Sequence, residues 1–172
     1  MWQEMVQDFL IQLSEMNAFL QYLGVFAIGF IPPLESFGGA AAGATVGMPF
    51  ISTALISIIG NWISMMLLIL PFNALLTKIR NRKSKKDGLI QKGSNKAREQ
   101  YDKYGVPGVA IISPLVPSSG HIAAFASLSA GASKKRVIVW HTISMVIWGV
   151  LGIAFGVYLN YGIMQAGALA II

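Results

Sequence analysis

The hydrophobic pattern changes character along the chain, and each change marks an element. In residues 1 to 16, Trp2, Met5, Val6, Phe9, Leu10, Leu13 and Met16 recur at helical spacing, while Glu4, Gln7, Asp8, Gln12 and Glu15 cover much of the other side. This predicts an amphipathic helix lying in a membrane interface. Its acidic face would be repelled by an anionic leaflet, which puts it outside the cell. Residues 17 to 31 are apolar on all sides but too short to span. They end at Pro32-Pro33, two residues without backbone donors. Leu34-Glu35-Ser36-Phe37 and a run of tiny residues from Gly38 to Gly47 follow, closed by Pro49. The spacing predicts a re-entrant hairpin over 17 to 47, turning near the bilayer midplane. Residues 50 to 77 then predict a first full span.

Residues 78 to 103 are polar and basic, with Ser94 placed to cap a short helix through Tyr104. From Tyr104 to Ser133 there is no Lys, Arg, Asp or Glu, yet lysines flank both ends: Lys103 before, Lys134-Lys135 after. Basic residues mark cytoplasmic loops, so this segment enters and leaves on one face. Pro107, Pro114 and Pro117 break it. It reads as a second re-entrant hairpin, turning at Pro117-Ser118-Ser119-Gly120. Residues 137 to 160 predict the second full span, and 161 to 172 a short apolar tail.

The two halves share one order of elements: a proline-broken hairpin, an arm of small residues, a full span. Ala42-Gly43-Ala44 pairs with Ala130-Gly131-Ala132 in this reading. The second copy enters from the opposite face, so the expected fold is an all-α integral membrane protein. It is an inverted repeat of two units, each a re-entrant helical hairpin plus a transmembrane helix, preceded by the interfacial helix. It forms a single membrane domain: 1 to 16, repeat one over 17 to 77, the basic loop 78 to 103, repeat two over 104 to 160, and the tail. Inverted repeats whose broken helices meet at the midplane are a recurrent transporter architecture.

Composition sharpens this. Of the 172 residues, 55% are hydrophobic and 12% charged, with a mean hydropathy of +0.63. A soluble domain carries about 25% charged residues. The first sixteen residues hold Glu4, Asp8 and Glu15 and no Lys or Arg, unlike a cleavable signal. The net charge of +6 does not point to nucleic acid. It sits in two clusters flanking apolar segments, from Lys78 to Lys103 and at Lys134-Lys135-Arg136. Cysteine is absent and histidine occurs twice, so no metal site and no cofactor are expected.

Two stretches carry a family resemblance. Ile31-Pro32-Pro33-Leu34-Glu35-Ser36-Phe37-Gly38-Gly39 and Pro114-Leu115-Val116-Pro117-Ser118-Ser119-Gly120-His121 resemble the small multidrug export proteins. That family in turn looks related to the DedA/VTT superfamily of prokaryotic lipid-handling membrane proteins. DedA members resemble an Arg-Phe-x-Pro pattern in the second hairpin, with a further arginine. Here the matching region is Ser113-Pro114 and Gly120-His121, without arginine. The resemblance therefore implies the export branch rather than a phosphate grip.

The candidate substrate and ion site is Glu35, Ser118, Ser119, Gly120, His121 and Asn61. A carboxylate after a proline turn inside a membrane is costly and suits reversible protonation. Ser118 and Ser119 can cap the arm opening at Gly120, whose free amides favour an anion. His121 is a proton carrier or a hydrogen-bonded structural residue. Asn61 glues helices or lines the pathway. Pro32, Pro33, Pro114 and Pro117 are structural turns, and Gly39, Gly43 and Gly131 permit close packing. His141, five residues after Arg136, is expected at the interface, and Trp62, Trp140 and Trp148 in packing or the aromatic belt.

No catalytic triad, phosphate loop or metal spacing is present, so no enzyme activity is expected. The expected function is a proton-coupled transporter of small amphipathic molecules in the prokaryotic plasma (inner) membrane, with loop 78 to 103 cytoplasmic. The expected partners are membrane lipids, protons and a second copy in a homodimer. Two alternatives are a flippase or scramblase for a polyprenyl-phosphate carrier lipid, and a membrane scaffold.

Overall fold

The computed structural model describes residues 2–74, 103–115 and 120–169. It contains α1 (Trp2–Glu15), α2 (Ala18–Phe30), α3 (Glu35–Thr45), α4 (Phe50–Ile69), α5 (103–112), α6 (Gly120–Ser129) and α7 (Lys134–Leu169). A 3-10 turn at Ser113–Leu115 follows α5, and no strand occurs among the described residues. Two compact units form: Met1–Trp62 with Met145–Ile172, and Ile63–Ser144.

In the first unit, Asn17 opens α2 by accepting a hydrogen bond from the Leu20 amide at 3.0 Å. The turn at Pro32-Pro33 reverses the chain, so α2 and α3 form a hairpin. A Cβ on Gly39 would meet the Val25 carbonyl and the Gly29 amide, and one on Gly43 would meet the Val25 side chain. The contact moves back along α2 as it moves forward along α3, which makes the pair antiparallel. These helices have 13 and 11 residues, about 20 and 16 Å of rise, short of a bilayer core.

Helix α3 is the centre of this unit. Its glycine face meets α4, where a Cβ on Gly39 or Gly43 would collide with Ser57 or Thr53. Its alanine face meets α7: Gly152 lies against the Phe37 carbonyl and Ala40, and Gly156 against the Ala41 carbonyl and Ala44. Small residues on both sides let backbones approach, as membrane helices do when water supplies no driving force. Hydrogen bonds pin the contact. Asn160 Nδ2 donates to Thr45 O at 2.6 Å, and Thr45 Oγ1, which donates to Ala41 O at 2.8 Å, also reaches Gly156 O at 3.3 Å. Before this bundle, α1 contacts α2 through buried Leu13, while Met5, Phe9 and Ile11 stay exposed.

In the second unit, the C-terminal part of α4 packs with α5, α6 and the start of α7. Phe72 meets Phe125 edge-on at 5.2 Å, and Ser144 Oγ donates to Ala110 O at 2.7 Å. Lys134 Nζ donates to Leu70 O at 2.8 Å, placing a cation on the carbonyls that end α4. Lys134→Ala should lower stability by only about 0.5 kcal/mol, because the pair is partly exposed, and a chemical denaturation midpoint checks it.

A local recurrence links the two halves. Helix α3 ends with Met48 N bonding to Gly43 O at 3.0 Å and Gly47 N to Ala44 O at 3.1 Å, with Gly47 at φ 80°. Helix α6 ends identically: Ala132 N to Ser127 O at 3.0 Å, Gly131 N to Leu128 O at 3.1 Å, Gly131 at φ 96°. Both are Schellman caps. Gly131 stands 84 positions after Gly47, and the same shift carries α2 onto α5, α3 onto α6, and the start of α4 onto that of α7. The pairing of Ala42-Gly43-Ala44 with Ala130-Gly131-Ala132 is thus one helical turn out of register. Gly43 is a packed helical residue. Gly131 is a left-handed cap with nothing near its Cβ position, so it does not serve close packing.

Among the described residues two helices are long and apolar enough to cross a membrane, Phe50–Ile69 and Lys134–Gly162, and 39% and 28% of an apolar 18-residue window in each is buried. Their exposed surface is hydrocarbon, with Ile51 80% exposed. A soluble core helix would hide such side chains.

Several boundaries differ from expectation. The first span stops at Ile69 rather than 77, because Pro71 disfavours helix at Leu70. Pro107 lies inside the helical stretch 103–112, preceded by Gly105 at φ 64°. The second span starts at Lys134 and continues to Leu169 without a break at 160. The Ser94 cap falls outside the described residues, as does the basic loop up to 102.

Candidate functional site

Glu35 is the first residue of α3. Its amide donates to Ile31 O at 2.9 Å, closing the proline turn. Its φ is 52°, the one positive φ among described non-glycine residues. A left-handed glutamate costs about 1 to 2 kcal/mol against a right-handed one. Its side chain is nonetheless buried, 9% exposed. Pro32, Pro33 and Leu34 before it are exposed. Backbone strain of this kind persists where surroundings over-determine it, and it concentrates at functional positions.

The surroundings that impose it are on the next two residues. Ser36 Oγ donates to Met145 O at 3.0 Å, and Ser36 O accepts from Ser57 Oγ at 2.9 Å. Phe37 meets Trp148 edge-on at 6.0 Å and Phe155 at 5.6 Å. The first turn of α3 is therefore fastened to α4 on one side and α7 on the other, and Glu35 projects from a rigid platform.

Asn61 is buried on α4, and its Oδ1 has no hydrogen-bond partner among the described residues. Thr53, Ser57, Asn61 and Ser64 are all buried and follow i, i+4, i+8, i+11 spacing, one polar stripe along an apolar helix. An open groove of about 510 Å³ lies between α2 and α4 in this unit, lined by Phe19, Tyr22, Leu23, Phe26, Ser52 and Ile56. Tyr22 and Ser52 share a hydrogen bond at 2.7 Å beside it.

In the second unit, Gly120 and His121 open α6, and His121 is 6% exposed. Ser64 Oγ and His121 Nε2 share a hydrogen bond at 2.9 Å, the tautomer setting which donates. His141 is 2% exposed, on the inward face of α7 with Val137, Ser144 and Met145. Pro114 lies in the 3-10 turn, whereas Pro117, Ser118 and Ser119 fall outside the described residues. Among the described residues no group of three metal-binding side chains occurs.

The family model described as "Putative small multi-drug export protein" matches residues 35–151. That is well over half of the 172 residues. The chain belongs to this family. The match begins at Glu35 itself and runs through α3, α4, α5 and α6 into α7. An export-protein family and two apolar helices with lipid-compatible surfaces make this a membrane protein. No curated protein and no solved structure matches the chain.

Sequence reasoning singled out Glu35, Asn61 and His121 and missed Ser36, Ser57, Ser64 and His141. The stripe on α4 was available as a signal, since polar residues three and four apart in an otherwise apolar helix share one face. The hydroxyl partners were not, because they are backbone carbonyls on other helices.

Proposed function

We propose that this small multidrug export family member is a secondary transporter that moves small amphipathic molecules out of the cell, coupled to protons. Glu35 is the exchanging group. The observation that carries this is a buried carboxylate, held left-handed on a fastened platform, at the head of a small-residue helix in a chain of this family. A charge at the centre of a span costs roughly 2.5 to 3.5 kcal/mol, so retaining one there calls for a function. Asn61, on α4 in the same unit, lines the pathway.

In this reading α2–α3 and α5–α6 are re-entrant hairpins entering from opposite faces of the prokaryotic plasma membrane. The recurrence 84 residues apart supports a repeat, and the lysines flanking 104 to 133 support its inversion. Two full spans enclose little, so two copies assemble. The deciding experiment is flux in liposomes, with and without a pH gradient, across drug cations and polyprenyl phosphates. Gradient-dependent movement of a cation supports export. Gradient-independent movement of the polyprenyl phosphate would assign the chain to lipid flipping, and no flux of either to a scaffold.

Topology has its own test. The chain lacks cysteine, so single cysteines at Lys92 and Lys134 label cleanly. Both should react with an impermeant maleimide from the cytoplasmic face. Labelling from opposite faces would mean that 104 to 133 crosses the membrane, and the inverted repeat would be lost.

A further inference from the structure

Helices α2 and α4 lie side by side in the first unit and run in the same direction. A Cβ on Gly29 would meet the Ser57 carbonyl, one on Gly60 would meet the Phe26 carbonyl and the Phe30 amide, and Tyr22 bonds to Ser52. The contacts thus advance together along both helices. The glycine contacts bring backbone against backbone. Toward the two N-termini they give way to the open groove of about 510 Å³ lined by Phe19, Tyr22, Leu23, Phe26, Ser52 and Ile56. Helix α1 does not cover it. It meets α2 through Leu13 at Gly24 and through Gln21 Nε2, which donates to Ser14 O at 3.2 Å. By helical spacing Gln21 and Gly24 lie on the opposite side of α2 from Phe19 and Phe26.

We propose that this groove holds one acyl chain of a membrane lipid, lying along α2 and α4 within a single leaflet. The first support is continuity with the lipid-facing surface. Ile51, Leu55 and Ile59 are exposed on α4, a helix apolar enough to span, and Ser52 and Ile56 continue that face into the groove. Exposed Phe19 and Leu23 of α2 form the other rim. Lipid that wets the rims therefore meets the groove with no polar boundary between.

The second support is the chemistry of the wall. Ser52 Oγ donates its one hydrogen to Pro49 O at 3.1 Å, which leaves Tyr22 as the donor in the Tyr22–Ser52 pair at 2.7 Å. Both hydroxyl hydrogens are spent inside the wall, and the other four lining side chains are hydrocarbon. A polar head group would find no side-chain donor here, whereas a methylene chain needs none. The third support is length. From Phe19 to Phe26 helix α2 rises about 10 Å, within the roughly 15 Å of hydrocarbon in one leaflet. A groove that runs beside a spanning helix also points as acyl chains point. A chain seated there supplies the contacts that α2 and α4 do not make with each other beyond their glycine contacts. The inference concerns lipid binding and holds whether or not the chain transports.

The test reconstitutes the full chain in liposomes of phosphatidylethanolamine and phosphatidylglycerol, doped with a phosphatidylcholine that carries a diazirine in the middle of its acyl chain. After illumination, insertion is mapped by mass spectrometry. Tyr22 and Tyr158 give a matched comparison, with the same side chain at a similar level in the first unit. Tyr22 bonds to Ser52, the neighbouring Thr53 meets Gly43, and Gly156 of α7 meets Ala44. Tyr158 is 74% exposed and outside the groove, whereas Tyr22 is half-buried within it. Insertion at Tyr22 should exceed insertion at Tyr158, against the order of exposure. Ile56→Trp fills the groove and should bring Tyr22 insertion below that at Tyr158, while Tyr158 insertion is unchanged and reports an intact fold. Ser52→Phe fills it from a second position and should do the same. Wild-type insertion at Tyr22 no greater than at Tyr158 would overturn the proposal, as ordinary solvation by lipid or a second copy seated over the groove would produce. An excess at Tyr22 that survives both filling variants would overturn it as well.

Discussion

Glu35→Gln is expected to reduce gradient-driven flux to the level of empty liposomes while leaving a folded protein. Glutamine is nearly isosteric, keeps a hydrogen-bonding carbonyl and stands in for the protonated carboxyl. The fastening of Ser36 and Phe37 does not involve the Glu35 side chain, so the platform should survive. A carboxylate that serves only to cap α3 would be replaced by glutamine with modest loss, and flux would keep its pH dependence; that result would end the proton-carrier role. Glu35→Gly separates strain from chemistry. Glycine accepts φ 52° without steric strain, so this variant should recover part of the left-handed cost at the backbone while losing flux. Thermal unfolding and flux measured on the same preparations show whether stability and transport move in opposite directions.

The largest effect on folding is expected at Gly39→Val. A Cβ there would overlap Ser57 Oγ and come within 2.7 Å of the Val25 carbonyl and 3.0 Å of the Gly29 amide. Two of the three obstacles are backbone, so no rotamer change relieves them. Overpacking that side chains can absorb costs about 1 to 3 kcal/mol, and here the cost should exceed that range. Ser57→Ala removes one obstacle only, so it should not rescue the variant. The control is Gly162→Ala, which lies on exposed α7 with nothing within 4 Å. It should be neutral or stabilising by up to about 1 kcal/mol through helix propensity alone. Yield of monodisperse protein and melting temperature check both. Equal behaviour of the two glycines would mean that α2, α3 and α4 do not pack through Gly39.

The sequence by itself determined the elements whose cause is local. The proline pair at 32 and 33 stops α2, and Pro49 precedes the first span, because a missing amide acts wherever the chain lies. Long uncharged runs became α4 and α7, since apolar length is a property of composition. Glu35 stood out for the same reason, as an isolated charge within an apolar stretch. Features that depend on what meets what were decided by the tertiary structure. Gly43 and Gly131 look alike in sequence, yet one is crowded by Thr53 and Val25 and the other is an open left-handed cap. The two caps that share a geometry are those at Gly47 and Gly131, which the alanines beside Gly131 do not reveal. His141 became buried because the α7 face carrying Val137, Ser144 and Met145 is the one that packs inward, which no count of residues from Arg136 reveals. Ser36 and Ser57 gained their roles from carbonyls on other helices, and the strain at Glu35 exists because those distant partners hold the turn that follows it.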